Sequence, residues 1–264
     1  MAKFHIVSGA HETPDHLVVR RIGPGDLKDA LRKGFQDFWA MPSHLAFLCL
    51  LYPLIGIFFA GLAFGNNMLP LLFPLMSGFA LVGPIAAVGL YELSRRRERG
   101  EDVHWRDMTD VLRSPSIGSI AALGVLLTVI FLFWLTIAQG LYQGLFGWHA
   151  PESIPAFVRE VLTTRSGWLL IVLGNLIGAV FSAVVFALSV VSFPLLLDRD
   201  VGAVVAIQTS VKAVLANPGT MALWALIVGV ALVIGFLPLF IGLAVVLPVL
   251  GHATWHLYRK IVEP

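Results

Sequence analysis

Charge is what this chain has least of. Asp, Glu, Lys and Arg make up 13% of its 264 residues, about half the share of an ordinary soluble domain. The shortage is concentrated: residues 38–91, 114–151, 166–197 and 213–258 contain none of the four. A bilayer core is crossed by about 20 apolar helical residues, and no soluble domain of this length needs such runs. The chain therefore reads as an all-α, polytopic membrane protein.

Other shortages remove whole classes of function. Cys49 is the one cysteine, which excludes an intrachain disulfide and a thiolate metal site. Nothing alternates apolar and polar residues as the short strands of an outer-membrane barrel do. The first 24 residues are polar and lack the apolar core of a signal peptide, so the first crossing is expected to act as an uncleaved insertion signal. No Gly-rich phosphate loop, His-Glu-x-x-His or Gly-x-Ser-x-Gly occurs, and no nucleic-acid partner is expected. Within the crossings only Glu92 is ionisable at neutral pH apart from histidine, beside Arg95 and Arg96 at a helix end. Ion-coupled carriers rely on buried acids or bases, so proton- or sodium-coupled transport is disfavoured.

The charges that are present are placed asymmetrically. Sixteen of the 18 Lys and Arg residues lie before the first apolar run, between 95 and 113, at Arg199 and Lys212, or at Arg259 and Lys260; Arg159 and Arg165 are the exceptions. With six crossings, this bias puts both termini in the cytoplasm. The crossings are expected at about 44–64, 68–91, 117–142, 167–197, 219–235 and 238–258, within one membrane domain, 25–262, after a polar tail, 1–24. The fourth would be about 46 Å long as a straight helix, so it should tilt or project. The last two are divided at Gly235-Phe236-Leu237-Pro238.

Each hairpin is preceded by an amphipathic segment expected to lie at the cytoplasmic interface. Leu27, Leu31, Phe35 and Phe38 form one such face, and Trp105, Met108 and Leu112 a second. Val201, Val204, Val205, Val211 and Leu215 form a third. Each returning crossing carries a proline, Pro84, Pro194 or Pro248, before its basic exit. The plan is three hairpins, each with its interfacial helix. Between the third and fourth crossings, Ser153 is placed to cap a short helix on the outer surface.

Few residues carry chemistry. His252 and His256 share a helix face at i, i+4, a spacing suited to a metal or haem; two imidazoles alone are incomplete, and His44 or His104 would have to add ligands. Interfacial hydrogen bonding to backbone or water is the plainer reading. Gly174, Gly178 and Ser182 form a small-residue face for helix packing, within the chain or between copies. Gln139 and Asn175 are read as interhelical hydrogen-bonding groups, or as the lining of a polar cavity. Arg95, Arg96, Arg97 and Arg99 suit anionic lipid head groups, or serve as the orientation signal.

Three stretches carry a resemblance: Val191-Ser-Phe-Pro-Leu-Leu-Leu-Asp-Arg-Asp, then Ala206-Ile-Gln-Thr-Ser with Asn217-Pro, and Leu247-Pro-Val-Leu-Gly-His-Ala-Thr-Trp-His-Leu-Tyr-Arg. Together with Gly25 to Trp39 and Tyr52-Pro-Leu-Ile-Gly, they resemble the bacterial family named domain of unknown function 2189. The resemblance implies a helical integral membrane protein of Gram-negative bacteria, and brings no established activity, cofactor or catalytic residue. Some members bear a label relating them to the main subunit of cytochrome c oxidase; the haem and copper histidines of that bundle are not here. Three readings follow. The first is a non-enzymatic accessory or assembly factor of a larger inner-membrane complex, such as a respiratory one, with membrane lipids and other membrane proteins or itself as partners. The second is a transporter or channel for a neutral or lipid-like substrate. The third is a haem- or metal-binding membrane protein.

Overall fold

A computed structural model describes residues 17–41, 56, 69–148, 151, 153–238 and 242–263. The longer helices are α1 (Pro24–Ala40), α2 (Leu72–Glu98), α3 (Ile117–Phe146), α4 (Ile154–Thr163) and α5 (Arg165–Ser189). They continue with α6 (Ser192–Asp198), α7 (Ala203–Ala216), α8 (Pro218–Phe236) and α9 (Leu243–Ile261), and a 3-10 helix spans Trp105–Arg113. Among the described residues the one β contact is the isolated antiparallel bridge between Val19 and Val262. The all-α membrane architecture stands.

Among the described residues, three stretches are long and apolar enough to cross a membrane: α3, the run Arg165–Asp198 formed by α5 and α6, and α8. The expected crossing at 44–64, with Cys49, lies outside the described residues. The expected crossing at 68–91 falls on α2, and that at 238–258 on α9. The run expected as one long fourth crossing is broken at Val190–Val191, between α5 and α6. Ser192 Oγ lies 2.6 Å from the Leu188 carbonyl and 3.0 Å from that of Ala206 in α7, while Val191 N–H donates to Ser210 Oγ at 3.2 Å. Side chains at this junction thus satisfy backbone groups that a continuous helix would have paired internally.

The chain divides into two compact units, with boundaries inside α2, α3 and α5. The unit comprising 1–53, 83–125 and 186–264 is built on α1 packed along α9. A Cβ on Gly34 would lie 2.6 Å from Ala253 N and 2.7 Å from its Cβ, so only glycine permits this approach. The buried face of α1 is Leu27, Ala30, Gly34 and Asp37. Of the apolar face expected from the sequence, Leu27 is buried and Phe38 packs against the buried Met41, Leu90 and Leu93, but Phe35 is 47% exposed, and Ala30, Gly34 and Asp37 complete the buried face instead. The segments flanking the helix pair are stitched together beside it. Arg20 N–H donates to Ile261 O at 2.8 Å, and Asn217 bonds Ile22 N–H and the Arg20 carbonyl at 2.8 and 3.0 Å.

The unit comprising 54–82 and 126–185 is simpler. Trp134 of α3 is buried, donates its indole N–H to Pro74 O at 3.1 Å, and packs with its ring 5.6 Å from that of Phe181 in α5. Ser153 caps α4 by accepting from Ala156 N–H, the role its sequence position suggests. Most of the remaining surface of α5 in this unit is exposed and apolar: Leu169, Val172, Leu173, Leu176, Val180 and Val184.

Candidate functional site

In a helix, i and i+4 side chains lie one above the other, and both imidazoles of the α9 pair meet one carboxylate from α1. His256 Nε2 lies 2.9 Å from Asp37 Oδ2. One turn deeper, His252 Nδ1 lies 2.6 Å from Ser94 Oγ of α2, whose hydroxyl donates to the same Asp37 oxygen at 2.6 Å. Arg97, three residues on from Ser94, donates to Asp37 Oδ1 at 2.6 Å. Three helices converge on one anion.

Proton counting fixes the arrangement. An ionised carboxylate only accepts, so the single Ser94 proton goes to Asp37, and His252 must donate its Nδ1 proton to Ser94. That leaves His252 Nε2 as a bare lone pair, and this atom is buried without a partner among the described residues. Burial by itself pushes the Asp37 carboxyl up. The hydrogen bonds from His256 and Ser94 and the electrostatic interaction with the two imidazoles outweigh it, and the group ends below the ordinary carboxylate value.

The rest of the α9 motif is engaged in the same way. Trp255 donates its indole N–H to Glu98 at 3.1 Å, and Tyr258 its hydroxyl to Asp198 at 2.8 Å. Arg259 bridges Glu98 and Asp198 at 3.2 and 3.3 Å, and Lys260 pairs with Asp29 at 2.8 Å. The helix is a zip whose successive side chains reach α1, α2 or α6. Asp37, Ser94, Glu98 and Asp198 were not singled out in the sequence. The signal for Asp37 was its place as the last charge before the longest charge-free run.

As a metal centre the cluster is a poor fit. A metal-bound histidine has one ring N–H held by an acceptor and the other nitrogen bare, and His252 satisfies this. His256 has spent Nε2 on Asp37, and among the described residues no group of three or more His, Cys, Asp or Glu side chains is placed to hold an ion. His104 is exposed, and His44 lies outside the described residues. What the arrangement does chemically is tie helices together through a hydrogen-bonded anion.

The remaining sequence candidates are dispersed. Gly178 faces Trp134, where a Cβ would come to 3.2 Å of the indole, and Gly174 faces Leu141 at 3.9 Å; Ser182 is exposed. Asn175 is exposed and donates to its own Ile171 carbonyl at 2.7 Å, and Gln139 is half-buried. Of the arginines, Arg95 pairs with Glu92 at 2.6 Å, and Arg96 with Glu92 at 2.8 Å and Asp110 at 2.7 Å. Arg97 holds Asp37, and Arg99 is exposed.

A family model described as a predicted integral membrane protein (DUF2189) covers residues 72–198, the stretch from α2 to the end of α6. No curated protein and no solved structure matches the chain.

Proposed function

We propose that this chain, whose residues 72–198 match a family model described as a predicted integral membrane protein (DUF2189), works as a non-enzymatic accessory or assembly factor docked to another membrane protein. The observation that carries this reading is Asn175. It sits on an exposed face of a stretch of spanning length, with Val172, Leu176 and Val180 as its exposed apolar neighbours along the helix. One amide N–H of Asn175 is used on the Ile171 carbonyl, and among the described residues its second N–H and its carbonyl have no partner, in a medium without water. Polar side chains in crossings meet that need by bonding a neighbouring helix, here one from a partner molecule.

The setting supported by the charge asymmetry is an inner or plasma membrane crossed several times, with both termini cytoplasmic. The test is mass spectrometry of what co-purifies with a tagged copy in mild detergent, run in parallel on Asn175→Leu. Stoichiometric membrane subunits that are lost in the variant support docking through this face. Recovery of the wild-type protein alone, or a partner set unchanged in Asn175→Leu, overturns it.

A further inference from the structure

A second polar feature lies apart from the Asp37 cluster. Where the last turns of α2, the turn Ser114-Pro115-Ser116 and the end of α6 meet, they enclose an open cleft of about 300 Å³, the lower end of the range for small-ligand sites. Ser116 directly precedes α3, a helix of spanning length, so the cleft lies at head-group depth. Its lining is charged with both signs.

Pairing within the lining is uneven. Arg96 and Glu92 are engaged with each other and with Arg95, Asp107 and Asp110. Three cations keep unused capacity. Arg95 holds Glu92 and the Leu197 carbonyl through its terminal nitrogens, and its Nε is buried without an acceptor among the described residues. Arg113 is 86% exposed and holds Asp110 at 3.0 Å. Arg199 is bonded to the Glu263 carbonyl, and no carboxylate among the described residues lies within ion-pair distance of it. On the anionic side, Asp200 is exposed and receives one long hydrogen bond, 3.4 Å from Ser116 Oγ. Guanidinium groups take phosphate oxygens in pairs, and a carboxylate takes a primary ammonium.

We propose that this cleft binds a phosphate ester bearing a primary ammonium, the chemistry of a phosphoethanolamine head group, with Arg95, Arg113 and Arg199 on the phosphate and Asp200 on the ammonium. Basic clefts beside spanning helices are a recurrent head-group site. The acid makes this one selective for a zwitterion over a simple anion. It differs from a general attraction of the arginine run to anionic lipid, because Arg97 and Arg99 do not line it.

The experiment is native mass spectrometry of the full chain released from nanodiscs of phosphatidylcholine alone, or mixed with phosphatidylethanolamine or phosphatidylglycerol. Retention of phosphatidylethanolamine above the other two is expected. Arg113→Gln should weaken it about tenfold, the usual effect of losing one charge-assisted hydrogen bond. Asp200→Asn should remove the preference for the primary amine over choline. Both side chains are exposed and outside the helix core, so folding survives. Free phosphoethanolamine is added as a competitor: if it displaces the lipid, the same chemistry is being read from a soluble source. Equal retention of all three lipids, or unchanged retention in both variants, overturns the proposal.

Discussion

Gly34→Ala is the sharpest probe of the fold. The added Cβ would sit 2.6, 2.7 and 2.8 Å from Ala253 N, Cβ and Cα, whereas carbon contacts settle at about 3.5–4.0 Å. Two of those atoms are backbone, so no rotamer change relieves the clash, and α1 must move away from α9 by about 1 Å. Asp37 is one turn further along the same buried face. A shift of that size stretches its 2.9 Å contact with His256 past the limit of a hydrogen bond, about 3.5 Å. Overpacking costs about 1–3 kcal/mol, and a buried polar group left short of a partner adds about 1–3 kcal/mol. Thermal unfolding in detergent, followed by tryptophan fluorescence, to which the buried Trp255 contributes, should show a Tm lower by about 5–20 °C. Gly25→Ala is the control, since nothing lies within 4 Å of a Cβ there. Ala253→Gly should rescue Gly34→Ala only in part, because the backbone contacts remain. If Gly34→Ala and Gly25→Ala unfold at the same temperature, α1 and α9 are not packed as described.

Asp37→Asn should destabilise the protein at neutral pH by about 3–5 kcal/mol, as breaking a buried charge pair does. The folded-state pKa of Asp37 is depressed. Its contribution is therefore fully present above the unfolded value of about 3.9 and is lost as pH falls through the folded one. The Tm gap between wild type and variant should narrow on acidification below about pH 4; a gap independent of pH would remove Asp37 from the account. Gly178→Leu places a branched side chain where even a Cβ stands 3.2 Å from the Trp134 ring. It should reduce folded yield and change migration on a native gel, and unchanged yield and migration would count against a packing role. Ser153→Ala should cost about 1 kcal/mol locally, visible as faster amide exchange in the first turn of α4, with global Tm unaffected.

Much of the helical plan was legible because it rests on where charge is missing. The runs ending at Tyr91, Pro151 and Leu197 overlap α2, α3 and α5, with α2 continuing past its run to Glu98, and Gly235 to Pro238 marks the gap between α8 and α9. The orientation of α1 was not legible by the same means. Hydrophobicity reports which side chains avoid water, and at a membrane surface both the lipid-facing and the protein-facing sides do so. Phe35 and Trp39 are the larger apolar groups and point outward, while Ala30 and Gly34 allow close approach and face α9. Small residues select the helix contact, and the weight of the apolar pattern lay on the other side. The break at Val190–Val191 was hidden for a related reason. It depends on Ser210, nineteen residues beyond Val191, and no local pattern announces which distant hydroxyl a backbone N–H will find.

The histidine pair shows how the same spacing supports two opposite chemistries. An i, i+4 pair offers two imidazoles on one face, which suits an ion when nothing else competes for the ring nitrogens. Here Asp37 competes, and its two oxygens receive His256, Ser94 and Arg97 together. A carboxylate with three charged or hydrogen-bonding partners is stable where burial alone would neutralise it. It draws Nε2 of His256 away from any ligand and fixes His252 through Ser94. The hub is thus the residue that lies outside the motif. The conspicuous residues of α9 are the teeth of a clasp whose anchor sits on α1, 219 positions before His256 in the chain.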